Sequence, residues 1–215
     1  MAITLIIARH GNTFEKDEIP RFIGRRTDLP LTQEGRTQAH QFGKYLREKQ
    51  IFPVAIYSSS LKRQKEMAEI VNAELGGDIP LCQDEALLEI DYGTWENLSD
   101  EEVKQKYSIE EYKVWSTAMQ WPASFADSPE EIQTQLQVWL QRLRNTHVDN
   151  TTIVAVSSNA TLRYLYSLAQ AQEWNRYKTE KRMKELKVKT GNFCVLHIYP
   201  DHYDVMQWNL FPSSS

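Results

Sequence analysis

The chain has 215 residues, 41% hydrophobic and 25% charged, a balance that closes one or at most two hydrophobic cores and excludes a disordered or fibrous protein. A net charge of −4 leaves no general electrostatic footprint for nucleic acid or an anionic membrane, and neither is expected as a partner. Apolar runs such as Leu5 to Ala8 and Ile153 to Val156 fall far short of the roughly 20 residues that cross a bilayer, and Met1-Ala2 lead into a strand-like run rather than a signal peptide, so a cytoplasmic location is expected.

In chain order, Ile3 to Ala8 is a continuous apolar run rich in branched side chains, the pattern of a strand buried on both faces. A helix is predicted over Gln33 to Lys49, with Ala39, Phe42 and Leu46 on one face. A second buried strand, Val54 to Tyr57, runs into Ser58-Ser59-Ser60 and is followed by helical spacing at Met67, Ala68, Val71 and Leu75. Ser99 with Glu102 and Ser128 with Glu131 fit capping boxes, and Pro129 stands at the first helical position of the second. That helix places Ile132, Leu136, Trp139, Leu140 and Leu143 on one stripe. Between the two helices, Trp115, Met119, Trp121 and Phe125 are expected to form a lid or to pack in the core. A third buried strand, Thr151 to Val156, runs into Ser157-Ser158-Asn159 and a helix bearing Leu162, Leu165, Leu168 and Ala169. Seven basic residues between Arg176 and Lys189 face only Glu180 and Glu185; a solvated face is the main expectation, steering of a polyanion the alternative. Phe193 to Tyr199 and Tyr203 to Trp208, flanking Pro200-Asp201-His202, read as a hairpin. Buried strands alternating with helices predict a three-layer α/β/α sandwich with a mostly parallel sheet, a helical insertion in the middle, and one domain over residues 1–215. Cys82 and Cys194 are too few for a disulfide framework or a zinc site and are expected to be buried free thiols; no metal or other cofactor is expected.

In open α/β sheets, ligands bind outside the carboxyl ends of the strands, where loops and helix N-termini converge with unpaired N–H groups. Three such ends carry Arg9-His10-Gly11-Asn12-Thr13, Ser58-Ser59-Ser60-Leu61-Lys62-Arg63 and Ser157-Ser158-Asn159. One imidazole, two guanidinium groups and several hydroxyls make an anion site, with phosphate as its natural occupant. Arg9 beside His10 disfavours the imidazolium and keeps a ring nitrogen free as a nucleophile near neutral pH.

Arg9-His10-Gly11-Asn12-Thr13 resembles the signature of the histidine phosphatase superfamily, the phosphoglycerate mutase-like proteins. Phe22-Ile23-Gly24 through Asp28-Leu29-Pro30-Leu31-Thr32 and Gly35 is similar to the segment that follows the signature, Ser59 to Arg63 to the second arginine motif, and Leu88-Glu89-Ile90-Asp91-Tyr92-Gly93-Thr94-Trp95-Glu96 to the acidic motif. The similarity extends to Lys189-Thr190-Gly191-Asn192 and Trp208-Asn209. It implies a metal-free, two-step phosphoryl transfer in which His10 becomes phosphohistidine and Glu89 protonates the leaving alcohol and then deprotonates water. Arg9 and Arg63, with Asn12, Ser158 and Asn159, would hold phosphoryl oxygens. By family position, Arg21, Arg25 and Arg26 are candidates for reading a substrate phosphate or carboxylate. The partners implied are a small phosphorylated substrate and inorganic phosphate. In one respect the chain departs from the family, whose members usually carry a second histidine and a glycine where this sequence has Ser158 and Asn159. The other histidines, His40, His147, His197 and His202, are expected to be packing or surface residues. A phosphatase of reduced or specialised activity is the leading expectation; a phosphoglycerate mutase and a noncatalytic phosphate-ester or protein binder are the alternatives.

Overall fold

In the computed structural model, which describes residues 1–213 and leaves the last two serines of the tail outside the description, six strands form one sheet in the order β3-β2-β4-β1-β5-β6. The three apolar runs become β1 (Ile3–Arg9), β2 (Ala55–Ser58) and β4 (Thr152–Ser157), paired in parallel at its centre. The hairpin forms β5 (Phe193–Ile198) and β6 (Tyr203–Leu210), joined antiparallel to β1 through β5. Only β3 (Leu81–Gln83), parallel to β2 at the edge, had no counterpart among the expected strands. It is three residues long with Leu81 and Gln83 exposed, too short to show either an apolar run or an alternation.

Side chains leave the central strands on alternate faces, and each face has its own core. Ile6, Ala8, Ile56, Val154 and Val156 pack under α1 (Gln33–Glu48) and α2 (Lys62–Glu74). On the other face, Ile3, Leu5, Ile7, Ile153 and Ala155 pack under α3 (Asp100–Lys106), α4 (Ile109–Ala118), α5 (Pro129–Thr146), α6 (Asn159–Ala169) and α7 (Ala171–Thr179). This is the three-layer sandwich. Each fully buried aliphatic side chain contributes about 1.5–3 kcal/mol, so the two continuous cores explain why the central strands need no polar face. Both capping boxes form, Ser99 with Glu102 and Ser128 with Glu131. Helix α1 ends one residue before Lys49, which serves as its C-cap. Trp115, Met119 and Phe125 are buried, and Trp115, Trp121 and Phe125 meet edge to face with ring centroids 4.9–5.7 Å apart; they pack the core.

The chain leaves β1 through α1 toward β2 on one side and leaves β4 through α6 and α7 toward β5 on the other. The crevice between the carboxyl ends of these two neighbouring strands is therefore a topological switch point, where a ligand site is expected. Cys194 is buried, and burial pushes its thiol up to about 12. Cys82 is only half-buried, contrary to expectation, because it lies on the short edge strand β3. Among the described residues no helix is long and apolar enough to cross a membrane.

Candidate active site

The loop after β1 is fixed by backbone before any side chain acts. Arg9 N–H donates to the Asn192 carbonyl at 2.9 Å and His10 N–H to that of Ser157 at 3.0 Å, tying the end of β1 to the residue before β5 and to the end of β4. Gly11 and Gly35 face each other so closely that a Cβ on Gly11 would lie 2.3 Å from the Gly35 carbonyl oxygen; only glycines allow the loop to reach the first turn of α1. Asn12 Oδ1 accepts from Thr190 Oγ1 and from Gln38 Nε2, leaving the Asn12 amide N–H groups as its remaining donors.

His10 is buried, and its Nδ1 lies 2.8 Å from the Gly11 carbonyl. A carbonyl only accepts, so in the neutral ring Nδ1 carries the hydrogen and Nε2 presents the lone pair. Its pKa is held well below the usual histidine value, first by burial, then by Arg63 and Arg9. The direction agrees with the reading from Arg9, but burial is the larger cause.

Arg63, on the first turn of α2, is completely buried and donates to the carbonyls of Thr27 at 2.8 Å and Gly24 at 2.9 Å. Arg9 donates to the Val188 carbonyl at 2.8 Å. Each arginine keeps a buried Nε without a hydrogen-bond partner among the described residues, a donor of the kind that recognises an oxyanion. Glu89 sits in the loop between α2 and α3, which Ser157 Oγ anchors by donating to the Leu87 carbonyl at 2.8 Å. Its carboxylate accepts from the backbone N–H of Ile90 at 3.0 Å and of Ala160 at 3.3 Å. Burial nonetheless raises its pKa, with those two bonds and the nearby Arg63 and Arg9 only opposing the rise. Arg9 and Arg63 act on both groups, so a carboxyl that protonates more readily than usual and an imidazole that protonates less readily share one pair of cations, an arrangement suited to acid–base work.

Ser158 is fully buried at the N-cap of α6, with its Oγ 2.9 Å from Gln64 Nε2. Asn159 Oδ1 accepts from Val188 N–H at 3.0 Å, so Asn159 secures the strand of chain to which Arg9 is bonded and, among the described residues, keeps its own amide N–H groups free of other partners. Two residues at this site carried no sequence signal. Arg163 on α6 is buried, with an Nε that has no partner among the described residues, and feels the charges of Tyr92 and Glu89; Gln64 on α2 is completely buried. On an amphipathic helix neither residue type announces which face it occupies.

The arginines that follow the signature are already paired. Arg21 bonds Glu102 at 2.8 Å, Arg25 bonds Asp127 at 2.9 Å and Arg26 bonds Asp91 at 2.9 Å. Arg25 also donates to the Glu89 carbonyl at 3.2 Å, helping to hold that loop. Of the basic stretch, Arg176 pairs with Glu173 and Arg182 with Glu180 and Glu185, while burial, and after it the charges of Arg9 and Arg163, lower the pKa of Lys187. His40 bonds Glu74, His147 bonds Tyr57, His202 bonds Asp201, and His197 meets Tyr199 edge to face.

A 2,3-bisphosphoglycerate-dependent phosphoglycerate mutase of Parvibaculum lavamentivorans is 33% identical over 125 residues, 58% of this chain and 59% of the relative; matches to other mutases of that name cover about half of their length. YhfR of Bacillus stearothermophilus superimposes with a TM-score of 0.81 at 26% identity over 97% of both chains. A mycobacterial glucosyl-3-phosphoglycerate phosphatase, solved with inorganic phosphate, has the same fold, with a TM-score of 0.78 at 19% identity over 99% of both chains. The model of the histidine phosphatase superfamily, branch 1, matches residues 5–210, from within β1 to the end of β6, and the chain belongs to that family.

Proposed function

We propose that residues 1–215 form one histidine phosphatase domain that hydrolyses a small phosphomonoester through a phosphohistidine on His10. The observation that carries this reading is the His10 ring itself: Nδ1 is pinned to the Gly11 carbonyl and Nε2 is left with its lone pair, beside guanidinium groups that each keep a buried unpartnered donor. Nε2 attacks phosphorus, the P–O bond to the alcohol breaks, and protonated Glu89 delivers its proton to the leaving oxygen. Glu89, now a carboxylate, takes a proton from water as that water attacks the phosphohistidine; the P–N bond breaks and inorganic phosphate leaves. Arg9, Arg63 and the amide N–H groups of Asn12 and Asn159 stabilise the equatorial oxygens. Ser158 stands where the family carries its second histidine, and a hydroxyl in place of that donor sets a lower or more specialised rate.

Incubation with 4-nitrophenyl phosphate followed by rapid denaturation and mass spectrometry should find phosphate on His10, and His10→Ala should abolish both the adduct and turnover. Unchanged turnover in that variant excludes the mechanism. A second reading is favoured by the curated relatives named as phosphoglycerate mutases: the phosphohistidine returns its phosphoryl group to a second hydroxyl instead of water. Isomerisation of 3-phosphoglycerate without release of phosphate would select it.

A further inference from the structure

Gln64 is wholly buried in the first turn of α2, and both ends of its amide are hydrogen-bonded. Oε1 accepts from Ser59 N–H at 3.1 Å, while Nε2 donates to the Leu87 carbonyl at 3.0 Å and to Ser158 Oγ at 2.9 Å. A backbone N–H can only donate and a backbone carbonyl can only accept, so the amide has one permitted orientation. Nε2 therefore faces Ser158, and because an amide NH2 cannot accept, Ser158 Oγ is the acceptor.

The Ser158 O–H is then left to donate, and among the described residues Oγ has no hydrogen bond other than the one from Gln64. The hydroxyl is also withdrawn from its ordinary local task. A serine at an N-cap usually accepts from an N–H of the first helical turn, but Ser158 makes no such bond, and Ala160 N–H goes to the Glu89 carboxylate at 3.3 Å instead. One lone pair is held by Gln64, the cap is not made, and the proton is available beside the end of β4, where Ser157 receives the His10 N–H.

We propose that Gln64 is a positioning residue that fixes Ser158 as a hydrogen-bond donor to the transferring phosphoryl group. The inference rests on the phosphohistidine reading above and adds the device that gives this site a neutral donor, one that does not titrate as an imidazole does. It also means that an imidazole placed at position 158 meets the buried Gln64 amide, so a histidine there requires Gln64 to be shortened as well.

The test is a double-mutant cycle with 4-nitrophenyl phosphate, with near-ultraviolet circular dichroism checking the fold of each variant. Ser158→Ala should lower kcat by ~10²-fold with little change in KM, the loss of one preorganised donor. Gln64→Ala should reproduce most of that loss, and the double variant should lose no more than Ser158→Ala alone, because Gln64 acts through Ser158. Gln64→Glu is the near-isosteric check. Its carboxylate accepts where the amide donated, the Ser158 O–H turns toward it, and kcat should fall as in Ser158→Ala. Additive losses in the cycle, or wild-type kcat in Gln64→Glu, overturn the proposal while leaving phosphorylation of His10 untouched. A wild-type protein in which His10 takes up no phosphate overturns the phosphohistidine reading, and this inference with it.

Discussion

Arginines at the carboxyl edge of the sheet and arginines in the segment after the signature are bonded in opposite ways. Arg9 and Arg63 donate to backbone carbonyls, which orient the guanidinium groups without neutralising them. Arg21, Arg25 and Arg26 each meet a carboxylate within 2.9 Å. The carboxylate closest to the edge set, Glu89, is coupled to Arg9, Arg63 and Arg163 together, and burial favours its protonated form. A cation serves an anionic ligand when its own bonds leave its charge uncompensated, and here that condition separates two sets of arginines that the sequence places within one family pattern.

Glu89 gives the sharpest way to break the comparison. Glu89→Gln removes the carboxylate that the edge cations share, so phosphate binding, followed by calorimetry, should hold or tighten while turnover falls by ~10²–10⁴, the range for loss of a general acid–base group. The pH profile should change with it. His10 is depressed well below 6.5, so the acidic limb lies well under that value, and Glu89 is raised above 4.5, so the basic limb lies above it and should vanish in the Gln variant. Weaker phosphate binding in Glu89→Gln would mean that the edge cations are not uncompensated in the sense argued.

Next in size is Arg63→Gln, which keeps a donor but deletes the charge. Loss of one such transition-state contact costs ~10²–10³ in kcat, and the variant should also lose most of its affinity for phosphate. A separate readout is stability. The folded His10 ring takes its proton only well below 6.5, whereas the unfolded ring takes it near 6.5, so between those values the unfolded chain binds more protons and the protein should lose stability as pH falls. His10→Gln should flatten that part of the curve in urea titrations; an unchanged slope would mean that the ring is not held neutral.

How much of this was legible follows from the range over which each signal acts. Continuous apolar runs announced β1, β2 and β4, because strands covered on both faces must be apolar throughout, and capping chemistry announced α3 and α5 within a few residues of chain. Strand β3 was invisible because three residues with two exposed carry no pattern. At the site, His10, Arg9, Arg63 and Glu89 stood out through motif resemblance, and the structure draws them together. Gln64 and Arg163 did not, because their importance lies in burial and in partners such as Leu87 and Glu89 that are distant in sequence. The pairing of Arg21, Arg25 and Arg26 was equally hidden, since Glu102 and Asp127 approach them only through the folding of the helical insertion and Asp91 only through that of the loop before it.

The smallest expected effect tests the paired set directly. For Arg26 to read a substrate anion, as its family position suggests, it must exchange Asp91 for the ligand, giving up a bond of 2.9 Å to gain a similar one. The Arg26 side chain is half exposed although Asp91 is mostly buried, and an ion pair open to solvent on one side is worth on the order of 1 kcal/mol, so the exchange yields little in either direction. Arg26→Gln should therefore shift KM for a phosphomonoester by only a few-fold, leave kcat near the wild-type value and lower the melting temperature slightly. Arg25→Gln should cost more stability than affinity, because Arg25 joins Asp127 to the Glu89 loop and its side chain is less exposed. A tenfold or larger rise in KM for Arg26→Gln, confined to substrates with a second anionic group, would show that the ion pair opens for a ligand, and Arg26 would then belong with Arg9 and Arg63 rather than with Arg21 and Arg25.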